Sequence, residues 1–168
     1  MNLVYSSQPV EVVPLPDSCN KALAGKWTEK TAGGCHLYDK EFEQKPDSFT
    51  WMNNPKYLLQ LQTSEPQTTV KIVLSRPEKA WKKAVGMSLV GCMIGFYVYP
   101  NGQSPDSKNL VNKEGRKFVP WNEINEELTL DYNKDGYMIM PSTYEPGKQG
   151  PFIISVSTDV DFKLEPVD

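Results

Sequence analysis

The chain has 168 residues, 39% hydrophobic and 23% charged, a composition that fills one domain core and excludes a disordered or collagen-like chain. Lys+Arg total 18 against 21 Asp+Glu, a net charge of −3, so the basic excess of a nucleic-acid binder is missing. No apolar run approaches the ~20 residues that span a bilayer; the longest, Val85 to Tyr99, is broken by Gly86, Ser88, Gly91 and Gly95. Residues 1–20 read as an approach segment, with a short strand at Val10–Val13 closed by Pro14 and Pro16. They show neither the basic and apolar regions of a secretory signal nor a Gly at position 2 for myristoylation. Residues 21–168 read as one domain. Strand signals dominate it: Lys56–Gln62, Thr69–Leu74 with Val70, Ile72 and Leu74 on one face, and the continuous run Cys92–Tyr99. Tyr137–Met140, Phe152–Ser157 and an edge strand at Val160–Leu164 follow, with turns at Asn101-Gly102 and Asp135-Gly136. Helical pattern is confined to Arg76–Val85 and Trp121–Leu128, and 14 prolines exceed the ~5% average and oppose long helices. The fold expected is all-β, an antiparallel β-sandwich of about eight strands.

The chemistry-bearing residues are few. Cys19, Cys35 and Cys92 form no CxxC pair, which argues for free thiols in a reducing compartment and against a Cys-rich zinc site. Cys35 adjoins His36, the only histidine. Neighbours in extended chain point to opposite sides, so a thiol–imidazole couple is not expected from them. Cys35 reads as a small buried or half-buried residue and His36 as a solvated loop residue. Asp131-Tyr132-Asn133-Lys134-Asp135-Gly136 matches the first half of an EF-hand loop. The bidentate Glu of the last position is replaced by Ser142, and a strand rather than a helix follows, so a hairpin turn is the simpler reading. A calcium site of the β-sandwich kind would instead draw on Asp131, Asp135, Asp159, Asp161 and the Glu126-Glu127 pair. Gly33-Gly34 and Gly147 sit in no phosphate-binding pattern. Lys79, Lys82 and Lys83 around Trp81 form a basic cluster with an aromatic, read as a solvated helix face, with a lipid-headgroup contact as the rival. Trp27, Trp51, Trp81 and Trp121 read as core or loop anchors.

Two sets of segments go beyond pattern. The first is Gly25-Lys26-Trp27, Thr31-Ala32-Gly33-Gly34-Cys35 and Asn53-Asn54-Pro55-Lys56-Tyr57-Leu58-Leu59-Gln60-Leu61. The second is Tyr137 through Gly147, including Pro141-Ser142-Thr143-Tyr144-Glu145-Pro146, then Gly150 and Phe152-Ile153-Ile154. In this order they resemble the calpain-type β-sandwich, the C2-like domain III that follows the papain-like core of calpains, over residues 24–158. The paired glycines suit positive φ or close packing, and Ser142 or Thr143 suits a bond to backbone in the turn. The resemblance implies a non-catalytic regulatory or targeting module of an intracellular cysteine protease. Catalytic Cys, His and Asn belong to a separate core, so no catalytic, cofactor-binding or metal-binding residue is assigned here and no cofactor is expected. The partners it implies are that core, proteins of the endosomal sorting machinery, or a membrane surface touched peripherally, with no nucleic acid; the location it implies is cytoplasmic. Typical members carry a dense acidic loop that this chain lacks, which is closer to the atypical calpain-7/PalB-like group. The alternatives are a calcium-dependent phospholipid-binding C2-type module and, more remotely, an enzyme using Cys35.

Overall fold

A computed structural model describes residues 19–36, 51–85, 92–105, 108–112 and 118–167. Its strands are β1 Asn20–Trp27, β2 Lys56–Leu61, β3 Gln67–Ser75, β4 Ile94–Pro100, β5 Glu123–Asp131, β6 Tyr137–Thr143, β7 Gly150–Thr158 and β8 Phe162–Val167. The helix α1, Glu78–Val85, lies between β3 and β4 in the chain. The strands form two four-stranded antiparallel sheets, ordered β1-β7-β3-β5 and β4-β6-β2-β8. This is the expected sandwich, and the expected edge strand near residue 162 is β8, at the margin of the second sheet. The Val10–Val13 expectation lies outside the described residues.

The sheets face each other through alternate residues. β3 buries Val70, Ile72 and Leu74 while Thr69 and Lys71 point out, the period-2 pattern of a half-buried strand. These meet Leu59, Phe96, Ile139, Phe152 and Ile154 in the main core. The second sheet is covered on its outer face as well. Cys35, Tyr97, Tyr99, Leu110, Met138 and Met140 form a second cluster there, flanked by Trp51, Leu58, Phe118 and Tyr144. Burial on both faces explains the unbroken apolar runs of β4 and β6, every residue of which is buried except Pro100.

Two elements differ from the sequence expectation. Trp121–Leu128 is not helical: β5 occupies Glu123–Asp131 and pairs with β3 along all nine residues, from Gln67↔Asp131 to Ser75↔Glu123. Its inward positions are Ile124, Glu126, Leu128 and Leu130. The carboxylate at Glu126 hides the alternation, and it accepts a hydrogen bond from Asn112 Nδ2 at 3.3 Å. β1 carries little apolar alternation because it is an edge strand whose inward residues include Lys21; that ammonium reaches across to Leu164 O of β8 at 2.9 Å. The Asp131–Gly136 turn joins β5 of one sheet to β6 of the other, so it is a link between sheets rather than a hairpin. Asn133 shapes it, accepting from Asp135 N and donating to Gly136 O, both at 2.9 Å, with Gly136 at φ +81°.

Arg76, between β3 and α1, is buried. Its guanidinium donates to the carbonyls of Cys92, Pro120 and Trp121 and to Asn122 Oδ1, and stacks over Trp81. Burial lowers its pKa, opposed by the charges of Cys92 and Glu78. Nothing in the sequence marks this residue as structural.

Candidate docking site

The segments that carry the family resemblance converge at one end of the sandwich. Gly25 brings β1 so close to β2 and β7 that a Cβ there would overlap the Tyr57 hydroxyl and the Phe152 ring. Two residues on, Trp27 is fully buried, donates its indole N–H to Pro141 O at 3.2 Å and packs on Phe152 and Trp81. A turn follows, in which Thr31 N donates to Thr28 O at 3.0 Å. The chain then runs beside the segment after β6. Cys35 N donates to Tyr144 O at 3.1 Å, and Gly147 N donates to Ala32 O at 2.8 Å.

Gly34 is the joint. Its φ is +73°, and a Cβ there would lie 2.6 Å from Pro146 N, so both expected reasons for a glycine, positive φ and close approach, fall on this residue. Its carbonyl accepts from Asn54 Nδ2 at 2.8 Å and from Ser142 Oγ at 2.6 Å. Both Ser142 and Thr143 bond backbone: Thr143 Oγ1 donates to Glu145 O at 2.8 Å within the turn, whereas Ser142 Oγ reaches the distant glycine segment as well as Thr143 O next door. Pro141, Ser142 and Thr143 are the end of β6 rather than part of the loop.

Beside this joint, between the ends of β1, β2 and β8, lies a cleft of about 380 Å³. Lys26, Thr28, Lys30, Asn53, Lys56 and Tyr57 supply its polar lining, and Pro55, Pro166 and Val167 its apolar lining. Lys56 Nζ donates to Met52 O at 2.7 Å and to Asn54 O at 3.3 Å. Burial lowers the Lys56 pKa and raises that of Tyr57. The lining holds donors and cations but no carboxylate, so it suits binding of an anion rather than acid–base chemistry. No residue of this cleft stands out as a site in the sequence. The signal there is Lys26, Lys30 and Lys56 interleaved with the scaffold residues.

The other candidates fare differently. Cys35 is fully buried, as expected. His36 is not a solvated loop residue: it is half-buried, its Nδ1 lies 2.7 Å from the Tyr97 hydroxyl, and its ring packs on Trp51 and Tyr97. The aromatic cover of the second sheet claims it. Trp81 is fully buried and donates to Pro151 O at 2.6 Å, so it presents no ring beside Lys79 on the surface. Trp121, by contrast, is 67% exposed. The acidic residues named for calcium do not converge: no three of His, Cys, Asp or Glu come together as a metal-binding group among the described residues. Asp131 instead accepts from Gln67 Nε2 at 3.0 Å and Asp161 from the Cys19 thiol at 3.6 Å.

Comparison with known proteins follows the same residues. The calpain-type cysteine protease ADL1 of Oryza sativa subsp. japonica is 27% identical over 173 residues, covering 90% of this chain and 7% of that protein. The calpain-like protease palB/cpr-8 of Neurospora crassa is 24% identical over 186 residues, covering 97% of this chain and 18% of its own length. The serine/threonine-protein kinase 4 homolog B of Dictyostelium discoideum is 28% identical over 140 residues, covering 80% of this chain and 11% of that protein. The chain thus spans a small part of each. The family model described as calpain large subunit, domain III, matches residues 23–157, which take in the glycine joint, the cleft residues of β1 and β2, and most of both sheets, and the chain belongs to that family.

Proposed function

We propose that this chain is a non-catalytic docking module within a calpain-type cysteine protease, acting by surface contact with the protease core or with a protein partner. The observation that carries this reading is the use to which its family-specific residues are put. Gly25, Trp27, Gly34, Asn54 and Ser142 commit their side chains, or their lack of one, to the scaffold. The only histidine is held by Tyr97, and the nearest thiol in sequence, Cys35, is sealed from substrate. Nucleophilic catalysis needs an accessible thiolate with a base in reach. Similarity to a protein named as a kinase homologue supports a module whose work is not tied to one catalytic partner. A cytoplasmic location, peripheral to membranes at most, goes with this reading; no helix among the described residues is long and apolar enough to cross a membrane.

Two assays of the purified chain test it. A fluorogenic peptide series should show no turnover, and the chain should co-purify with the separately expressed remainder of its parent protein. Turnover that disappears in Cys35→Ala would overturn the non-catalytic assignment. Calcium-dependent vesicle binding, with a calcium-induced rise in melting temperature, would replace protein docking by phospholipid binding.

A further inference from the structure

The cleft between β1, β2 and β8 has a lining that the scaffold does not use up. Among the described residues, none of Lys26, Lys30 and Lys56 has a carboxylate within salt-bridge distance. Lys56 commits two donors to backbone carbonyls and retains a third. Tyr57 is only 4% exposed, yet its hydroxyl has no hydrogen-bond partner among the described residues. A phenol so deeply buried ordinarily finds one. It is not among the side-chain atoms sealed off without a partner, of which Asn54 Oδ1 is the case found, so its oxygen keeps some accessible surface, and Tyr57 is one of the residues that line the cleft. Thr28 and Thr31 bond each other at 2.9 Å, which leaves one hydroxyl hydrogen of the pair to donate elsewhere.

We propose that this cleft binds the phosphorylated side chain of a protein partner, with the phosphate among the three lysines and the Tyr57 hydroxyl, and its stem against Pro55, Pro166 and Val167. This inference rests on the docking reading above and names the ligand class of that site. A phosphate dianion brings several strong acceptor oxygens to a lining of donors, whereas a carboxylate brings only two. It also offsets the desolvation that lowers the Lys56 pKa. A peptide rather than a membrane fits the surroundings. The apolar residues beside the lysines are few, Pro55, Pro166 and Val167, and the most exposed large side chains, Trp121 and Tyr132, stand on other loops. β1 and β8 are both edge strands, so unpaired backbone groups flank the cleft for a bound segment to use.

The test uses fluorescein-labelled degenerate peptide pools with a fixed central phosphoserine, phosphothreonine or phosphotyrosine, each beside its unphosphorylated twin, titrated with the 168-residue chain and read by anisotropy. At least one phosphorylated pool should bind while its twin does not. Lys26→Ala or Lys30→Ala should weaken that binding about tenfold, and Tyr57→Phe about threefold. Both lysines are exposed, so their variants should melt as the parent does and report on the site alone. Inorganic phosphate should compete. Equal binding of phosphorylated and unphosphorylated pools overturns the proposal, as does binding indifferent to the lysine variants. Tighter binding to vesicles bearing phosphatidylinositol phosphates than to any pool overturns it in favour of a lipid headgroup. Co-purification with the parent protein's remainder reports on the docking reading separately, since Lys26→Ala and Lys30→Ala are read out only against phosphopeptides.

Discussion

Ser142 Oγ donates to Gly34 O at 2.6 Å, a contact that spans 108 residues of sequence. The same carbonyl accepts from Asn54 Nδ2 at 2.8 Å. Three segments that look independent in the sequence are therefore pinned at one oxygen. Removing one donor leaves the carbonyl with the other, so Ser142→Ala should cost about 1–2 kcal/mol. Asn54→Ala should cost more, because Nδ2 also holds Trp51 O at 2.6 Å. The double variant orphans a buried carbonyl, and its cost in urea melts should exceed the sum of the two single costs. Simple additivity would show that the two donors do not share one acceptor.

Gly34 has a second constraint. Its φ is +73°, and a Cβ added there would stand 2.6 Å from Pro146 N, so Gly34→Ala incurs both backbone strain and a clash with a rigid neighbour. The loss of stability should exceed ~1 kcal/mol. Gly102, at φ +86° with open space around it, serves as the comparison: Gly102→Ala should cost only the strain. Equal losses at the two positions would remove the clash from the explanation.

The main core predicts its own sensitivity. Phe96 is 1% exposed and packs between the sheets, so Phe96→Ala should lose about 3–5 kcal/mol in chemical denaturation. A loss well under 1 kcal/mol, of the size seen at surface sites, would mean that β4 does not present Phe96 inward.

What is legible in the sequence follows the physics of each element. β3 and β7 have one face in the core and one in water, so their alternation is visible; β4 and β6 are wrapped on both sides, so they read as continuous apolar runs. β5 reads as helix because Glu126 stands at an inward position, where a donor from another segment, Asn112, meets its carboxylate. β1 gives no strand signal because Lys21 stands inward for a carbonyl 143 residues away. The cleft is invisible for a related reason. Its lysines are spaced by scaffold residues, and only the meeting of β1, β2 and β8 gathers them. His36 reads as a surface residue because the aromatic cover over the second sheet is assembled from Trp51, Tyr97 and Phe118, which no local window contains.

Arg76 tests the polar scaffold. Its guanidinium serves the carbonyls of Cys92, Pro120 and Trp121 together. Arg76→Met removes every one of those donors while filling similar space, and should destabilise by about 3 kcal/mol or more. Arg76→Lys should rescue little, since a single ammonium cannot span the fork of acceptors. Full rescue by lysine would mean that charge alone, rather than the planar geometry, is what the site requires.

Alkaline pH should unfold the chain through its buried phenols. Burial raises the pKa of Tyr57, Tyr99 and Tyr137 above 10.0, with the Asp131 charge adding to the rise at Tyr137. In the unfolded chain these phenols ionise near the ordinary value, while in the fold they keep their protons to higher pH. Their contribution is thus fully present below about pH 10 and is lost as pH climbs through the raised values. Lys56 works the other way: its lowered pKa means that the unfolded chain binds the extra proton below 10.5, so its penalty fades as pH rises towards that value. Melting temperature should therefore hold up to about pH 10 and then fall. Tyr137→Phe should flatten the fall, although it also removes the hydroxyl bond to Asp131 O at 2.8 Å and lowers the plateau. Tyr57→Phe should flatten the fall without lowering the plateau, because the Tyr57 hydroxyl has no partner to lose among the described residues. A plateau that drops in Tyr57→Phe would show that this hydroxyl is bonded in the folded chain, and the pH profile would then have to be assigned to another phenol.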